Sequence, residues 1–235
     1  MTPERPTRTE KSAAFFIAGT DTSVGKSLVC SLLLGFFLKN GFKAGCQKWV
    51  STGSTKPDDL LYCLNNNSMA ASSLEVLAPY CFSLAASPHL AAEAEERIID
   101  PEVIKKCLAR ARMDTEVLLV EGVGGVLVPL QRHMLLLDLV AGLDLPVILV
   151  ARSGLGTLNH TLLSIEALKN RKISLSGIIF SDEQQYEPDD LLVNDNMRTI
   201  REMTGVSILG RLPRCSNYQE ASRAFWPIGK KLAGL

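Results

Sequence analysis

A short apolar run, Ala13–Ala18, leads into Gly19-Thr20-Asp21-Thr22-Ser23-Val24-Gly25-Lys26-Ser27. A helix-length apolar segment, Ser27–Asn40, follows and is closed by Gly41. Strand, glycine-bounded turn ending in Gly-Lys-Ser, and helix make up the P-loop arrangement. This unit limits the fold more than any other feature, because a buried strand feeding a helix belongs in a parallel sheet with helices against it. In such a turn, backbone N–H groups and the helix N-terminus wrap phosphates, Lys26 reaches the β and γ oxygens, and the Ser27 hydroxyl takes Mg2+. The spacing departs from the usual pattern: five residues rather than four lie between Gly19 and Gly25, and Thr20 fills the position of the first glycine.

The rest of the chain alternates in the same way. Lys43–Gln47, Val117–Val120, Pro146–Val150, Leu175–Phe180 and Ser207–Gly210 read as buried strands. Pro101–Met113, with Asp100 as its N-cap, reads as a helix, as do His133–Ala141, Thr157–Lys169, Pro188–Thr204 and Tyr218–Leu235. Asn65–Glu96 resists assignment. The expected fold is a three-layer P-loop NTPase-like α/β domain, residues 13–235, with a mostly parallel central sheet and helices on both faces. Residues 1–12 read as a loose tail. Composition agrees, since 46% hydrophobic and 6% aromatic residues supply a large aliphatic core. Twenty-five basic and twenty-five acidic residues cancel, which leaves no electrostatic footprint for a nucleic-acid partner. No apolar stretch is long and charge-free enough to span a bilayer, and residues 1–14 lack the apolar segment of a signal peptide. Six cysteines without a CxxC pair read as free thiols in a cytoplasmic protein.

In such sheets ligands bind at the carboxyl ends of the strands. That directs attention to the loops at residues 19–26, 48–59, 121–130, 152–159 and 181–187. Glu121 stands at the end of one apolar run, ahead of Gly122-Val123-Gly124-Gly125, and suits a Mg2+ ligand beside bound phosphate. Asp58 or Asp59 could supply a second carboxylate. Taken alone, Lys48 reads as a surface lysine and Thr52 as a turn-stabilising hydroxyl. His89 and His160 have no ligand partners in sequence and do not read as metal-binding.

Residues 19–27 resemble the GTDTxVGK[S/T] loop of the dethiobiotin synthetases, five-residue spacing included. Lys48-Trp-Val-Ser-Thr-Gly53 is similar to that family's K-P-V-x-[S/T]-G, and Pro79–Phe82 with Ser87–Ala92 to its PYxF…SPHxAA. Glu121–Gly125 is similar to EGAGG, and Leu155–His160 to LGTINH. The resemblance implies an ATP- and Mg2+-dependent cyclo-ligase of biotin synthesis. One amine of 7,8-diaminononanoate would take up CO2 as a carbamate, whose oxygen would attack the γ-phosphate to give a carbamic-phosphoric anhydride. The second amine would then close the cyclic urea. It further implies Lys48, Lys26 and Thr22 as catalytic residues. Ser23, Val24, Gly25, Lys26, Ser27, Leu28, Asp58, Glu121, Gly122, Val123 and Gly124 would hold nucleotide and metal. Ser181, Asp182, Leu212, Pro213 and Arg214 would lie around the base. Mg2+ would rest on Ser27, Glu121 and one of Asp58 and Asp59, with Asp58 aligning slightly better through the leucine two residues on. Thr52 would hold the carbamate or diamine. Gly156, Thr157, Leu158 and Asn159, opening a helix, would grip the substrate carboxylate from a neighbouring subunit, which implies a homodimer.

Three departures accompany the resemblance: Trp49 in place of proline, Ser181-Asp182 in place of Asn-Asp, and the N-terminal tail. The main alternative is a partitioning-type P-loop ATPase acting as a dimer switch. Its signature lysine falls where this chain has Asp21, of opposite charge. An inactive relative that only binds nucleotide is a third reading.

Overall fold

The computed structural model describes residues 12–70, 74–182 and 189–234. Most of the expected tail, residues 183–187 of the last loop, the Pro188 helix start and Leu235 lie outside them. In chain order the elements are β1 (Ala13–Gly19), α1 (Lys26–Lys39), β2 (Ala44–Lys48), β3 (Val50–Thr52), α2 (Asp58–Asn66), α3 (Leu74–Leu77), β4 (Tyr80–Phe82) and α4 (Pro88–Ala94). There follow α5 (Pro101–Met113), β5 (Val117–Gly125), β6 (Pro129–Gln131), β7 (Met134–Leu135), α6 (Leu136–Gly142) and β8 (Val147–Arg152). The chain ends with α7 (Thr157–Asn170), β9 (Leu175–Ser181), α8 (Asp190–Thr204), β10 (Ile208–Leu212) and α9 (Tyr218–Ala233).

Successive side chains of a strand point to opposite faces of its sheet, so a strand apolar at every position must be covered on both sides. That is the arrangement here. Phe16, Leu118, Leu149 and Ile178 join one buried cluster with Ile104 and Leu108 of α5, Leu139 of α6, Ile165 of α7 and Ile200 of α8. Their neighbours Ile17, Leu119, Val150 and Ile179 join the other, with Leu33 and Phe36 of α1, Leu60 of α2 and Phe225 of α9. The six central strands run in the order β10-β9-β8-β1-β5-β2, all pairs parallel. β1 therefore lies between β8 and β5, and its carboxyl end opens into the crevice where such sheets receive ligands.

Several boundaries differ from the sequence expectation. β5 runs on through Glu121 to Gly125, so the stretch read as a loop from Glu121 begins as strand. Its register explains this: Glu121 pairs with Ile17 on one side and Lys48 on the other, and Gly125 pairs with Gly19. The helix expected from His133 begins at Leu136, because Met134–Leu135 are taken into an antiparallel pair with Pro129–Gln131. The unassigned segment holds α3, β4 and α4, and β4 pairs in parallel with β3. All six cysteines are free. Cys30, Cys46 and Cys63 are buried, and Cys81, Cys107 and Cys215 are half-buried.

Candidate active site

The turn after β1 adopts backbone conformations suited to glycine. Gly25 has φ 94°, in the left-handed region, and Ser23 shares that region at φ 56°. Gly19 is required for space: a Cβ there would lie 2.8 Å from Lys26 Nζ and 2.8 Å from the Asp21 carbonyl oxygen. Lys26 folds back across the turn and donates to that carbonyl at 2.8 Å. Burial, reinforced by the nearby Lys48 ammonium, lowers its pKa to about 8.

Lys48 reaches the same place from β2. Its register opposite Glu121 puts the two side chains on adjacent strands, side by side. Lys48 is only 3% exposed. Its ammonium donates to Glu121 Oε1 at 2.8 Å and to the Gly122 carbonyl at 2.9 Å, and lies 2.7 Å from Asp59 Oδ2. Three acceptors match its three N–H donors. Burial by itself would lower its pKa, but Glu121 and Asp59 outweigh burial and hold it above the ordinary lysine value. Burial would likewise raise the Asp59 pKa, and Lys48 reverses that and keeps the carboxyl below its usual range.

Ser27, in the first turn of α1, completes the cluster. Its hydroxyl is 2.9 Å from Asp59 Oδ1 and 2.8 Å from Glu121 Oε1. Three hard oxygens thus converge, the Ser27 hydroxyl bridging two carboxylates of which Glu121 also accepts from Lys48. That donor set fits Mg2+, which takes one or two carboxylates and fills its remaining positions with water and phosphate. Among the described residues no group of three or more His, Cys, Asp or Glu is placed to hold a metal.

Of the two candidate aspartates it is Asp59 that meets Ser27 and Lys48, whereas Asp58, slightly favoured by the resemblance, is not in this cluster. The phase of α2 decides the matter. Its buried residues are Leu60, Cys63 and Leu64, and Asp59, one turn before Cys63, lies on the side turned toward α1. Asp58 is exposed, one turn before exposed Tyr62. The same periodicity, read in the sequence, could have separated the two.

Other expected residues are distributed around this centre. Thr22 is exposed, and its backbone N–H donates to Asp21 Oδ1 at 2.7 Å. Val24 is buried, and Leu28 is half-buried against the α1-side core. Val123 and Gly124 continue β5. Thr52 ends β3, opposite Phe82. Gly156, at φ 88°, starts α7, with Thr157 buried and Asn159 exposed. At the carboxyl end of β9, Ser181 is buried against Gly25. Asp182 is occupied on both oxygens: Ser153 donates to Oδ1 at 2.5 Å, and Arg211 donates to Oδ1 at 2.9 Å and to Oδ2 at 2.8 Å. Arg211 escaped the sequence reading because its partner is brought to it by strand order alone. Leu212 accepts from the Asp182 N–H at 3.0 Å, while Pro213 and Arg214 beyond it are exposed. Trp49, the departure beside Lys48, is a core residue. It packs 5.5 Å from Phe16 between ring centroids, and its indole donates to Gln47 Oε1.

Comparisons with known proteins show what the chain resembles. Residues 13–222 match the family described as an AAA domain. An ATP-dependent dethiobiotin synthetase of Thermodesulfovibrio yellowstonii is 38% identical over 86% of this chain and 88% of its own length. One from Haloferax mediterranei is 39% identical over 83% and 81%. Among solved structures, the MinC:MinD cell division complex of Aquifex aeolicus superposes with a TM-score of 0.64 over 95% of this chain and 96% of its own, at 13% identity. That likeness concerns the fold alone.

Proposed function

The chain belongs to the ATP-dependent dethiobiotin synthetase family, and from that premise we propose that it forms dethiobiotin from 7,8-diaminononanoate, CO2 and ATP. The observation that carries the reading is the buried Lys48 ammonium, held between Glu121 and Asp59 beside the Ser27 hydroxyl. Two anions, a carbamate and a triphosphate, must meet in this reaction, and cations aimed at the γ-phosphate lower the cost of bringing them together. Lys26 would neutralise charge from the turn and Lys48 from β2. Mg2+, when held by Ser27, Asp59 and Glu121, supplies charge neutralisation on the phosphate oxygens.

The chemistry balances as follows. One amine adds to CO2 and loses a proton to give the carbamate. A carbamate oxygen attacks the γ-phosphorus, the bond to ADP breaks, and a carbamic-phosphoric anhydride forms. The second amine attacks the carbonyl carbon, the C–O bond to phosphate breaks, and the amine proton leaves with closure of the urea. Thr22 and Thr52 would position the carbamate end.

Residues 156–159 would bind the substrate carboxylate of a second subunit. Exposed Leu127, Leu155 and Leu163 near the start of α7 support a homodimer with a shared site. The free thiols favour a reducing, cytoplasmic setting. Among the described residues no helix is long and apolar enough to cross a membrane. The partitioning-type alternative has only the fold in its support.

Purified protein incubated with 7,8-diaminononanoate, ATP, Mg2+ and bicarbonate should yield dethiobiotin by mass spectrometry and one phosphate per product. Diamine-independent hydrolysis without dethiobiotin would overturn the reading.

A further inference from the structure

Gly35 sits in the middle of α1, where its φ is not positive and the backbone does not call for glycine. Glycine weakens a helix interior, so its place here needs a reason from packing. Asn67 supplies it. A Cβ on Gly35 would lie 2.5 Å from Asn67 Oδ1 and 3.5 Å from Tyr218 Oη. The space left by the missing side chain seats the Asn67 amide against α1, at the residue that caps the end of α2. There Asn67 Nδ2 donates to the Cys63 carbonyl of its own helix at 2.9 Å and to the Ser31 carbonyl of α1 at 3.0 Å. Tyr218, at the start of α9, closes the arrangement. Its Oη accepts from Ser31 Oγ at 2.9 Å and donates to the Ser31 carbonyl at 2.9 Å. Ser31 is fully buried, so a hydrogen bond withdrawn from it finds no water in exchange.

These bonds fix what apolar packing leaves loose. α2 faces the α1-side core through Leu60, Cys63 and Leu64. Burial of that kind is non-directional, so it resists separation of two helices better than it resists sliding or rolling. Hydrogen bonds are directional and bring the missing constraint. Ser31 stands one turn after Ser27 on α1. Asn67 stands two turns after Asp59 on α2, about 12 Å along the axis at the usual helical rise. The clamp therefore ties together the same two helices that bring Ser27 Oγ to 2.9 Å from Asp59 Oδ1. The usable range of a hydrogen-bond length spans only about 0.5 Å, so a small slide of α2 would part that pair.

We propose that Asn67, seated by Gly35 and braced by Tyr218, is a positioning residue that holds Asp59 in the Mg2+ site through the placement of α2. This rests on reading Ser27, Asp59 and Glu121 as that site, so the test measures metal directly. Mn2+ takes the same oxygen ligands and is followed by electron paramagnetic resonance. Asn67→Ala and Gly35→Ala should each weaken Mn2+ binding to the protein–ADP complex about three- to tenfold, the effect of one neutral hydrogen bond. Alanine improves the intrinsic helicity of α1, so a weaker metal site in Gly35→Ala cannot be put down to fraying of that helix. Tyr218→Phe keeps the ring packed, disturbs the fold least, and should weaken binding about twofold or more. In dethiobiotin assays the Mg2+ concentration for half-activity should rise in proportion, with kcat at saturating Mg2+ and KM for the diamine within about twofold. Added to Asp59→Asn, Asn67→Ala should weaken Mn2+ binding no further, because it acts through Asp59. Unchanged Mn2+ binding in all three single variants, whatever their thermal melts, would overturn the proposal and leave the clamp a support of the fold alone. A further loss in the Asp59→Asn background would overturn it as well. Absence of Mn2+ binding by the unaltered protein–ADP complex would instead overturn the metal-site reading itself, and this proposal with it.

Discussion

Lys48 has no hydrogen left to donate. All three of its N–H groups are engaged by Glu121, Asp59 and the Gly122 carbonyl, and its burial makes each contact count. To meet a phosphate it must give up at least one of them, which a cation bound by the carboxylates would permit. Lys48→Met should therefore lower kcat/KM by at least about a hundredfold, more through kcat than through KM for ATP, as expected when charge is removed from the transferring phosphoryl group. Steady-state kinetics at saturating diamine would check this, and near-normal turnover would remove Lys48 from catalysis. The two adjacent aspartates make a sharper comparison. Asp59→Asn should lower activity at least about tenfold and raise the Mg2+ concentration needed for half-activity, because a charged hydrogen-bonding partner is lost. Asp58→Asn should stay within about twofold, as a surface change away from such contacts does. Mg2+ titrations of both variants decide between them, and the reverse result would restore Asp58.

At the level of elements, the strands and long helices follow from local pattern, while the short pieces depend on what they meet. Asp138 illustrates the second kind. It accepts from the Leu135 N–H at 3.0 Å at the start of α6 and from Arg171 Nε at 2.7 Å beyond the end of α7. The Arg171 hydrogen bond holds its carboxyl below the usual range. A carboxylate lowered on folding contributes stability above its unfolded pKa, about 3.9, and loses it as pH falls through the lower folded value. Asp138→Asn should then cost up to about 1 kcal/mol at pH 7, since the pair is partly exposed, and nothing below its folded pKa. Urea titrations at pH 7 and in strong acid would show the difference vanish, and a pH-independent gap would assign the effect to packing. Asn65–Glu96 was illegible for a related reason. Its elements run three to seven residues once α2 has ended, too short for periodicity to register. They are held by the β3–β4 pair and by Tyr80 Oη, which accepts from the Asp100 N–H at 2.8 Å.

For the whole molecule, one sheet shared by two buried layers argues for a single cooperative unit across residues 13–235. Calorimetry should give one unfolding transition, and two resolved transitions would divide the domain. The proposed dimer makes a separate claim. If residues 156–159 serve the neighbouring subunit's substrate, Asn159→Ala should weaken diamine binding by about 1.5–3 kcal/mol, the worth of a hydrogen bond to a carboxylate. ATP binding should be nearly unchanged. A protein that is monomeric by analytical ultracentrifugation and fully active would exclude the shared site.

What the sequence determined by itself is local in origin. The strand, turn and Gly-Lys-Ser helix start announced a phosphate-binding α/β domain, because backbone conformation and apolar runs are properties of neighbouring residues. Ordered motifs along the chain were enough to name the family. The tertiary structure decided which groups meet. Lys48 became a buried cation only because β2 lies beside β5 in register with Glu121. Asp59 displaced Asp58 through the rotation of α2 against α1, and Arg211 found Asp182 through the adjacency of β9 and β10. Sequence spacing carries no information about such distances, since strand order and helix phase, not separation along the chain, bring the side chains together.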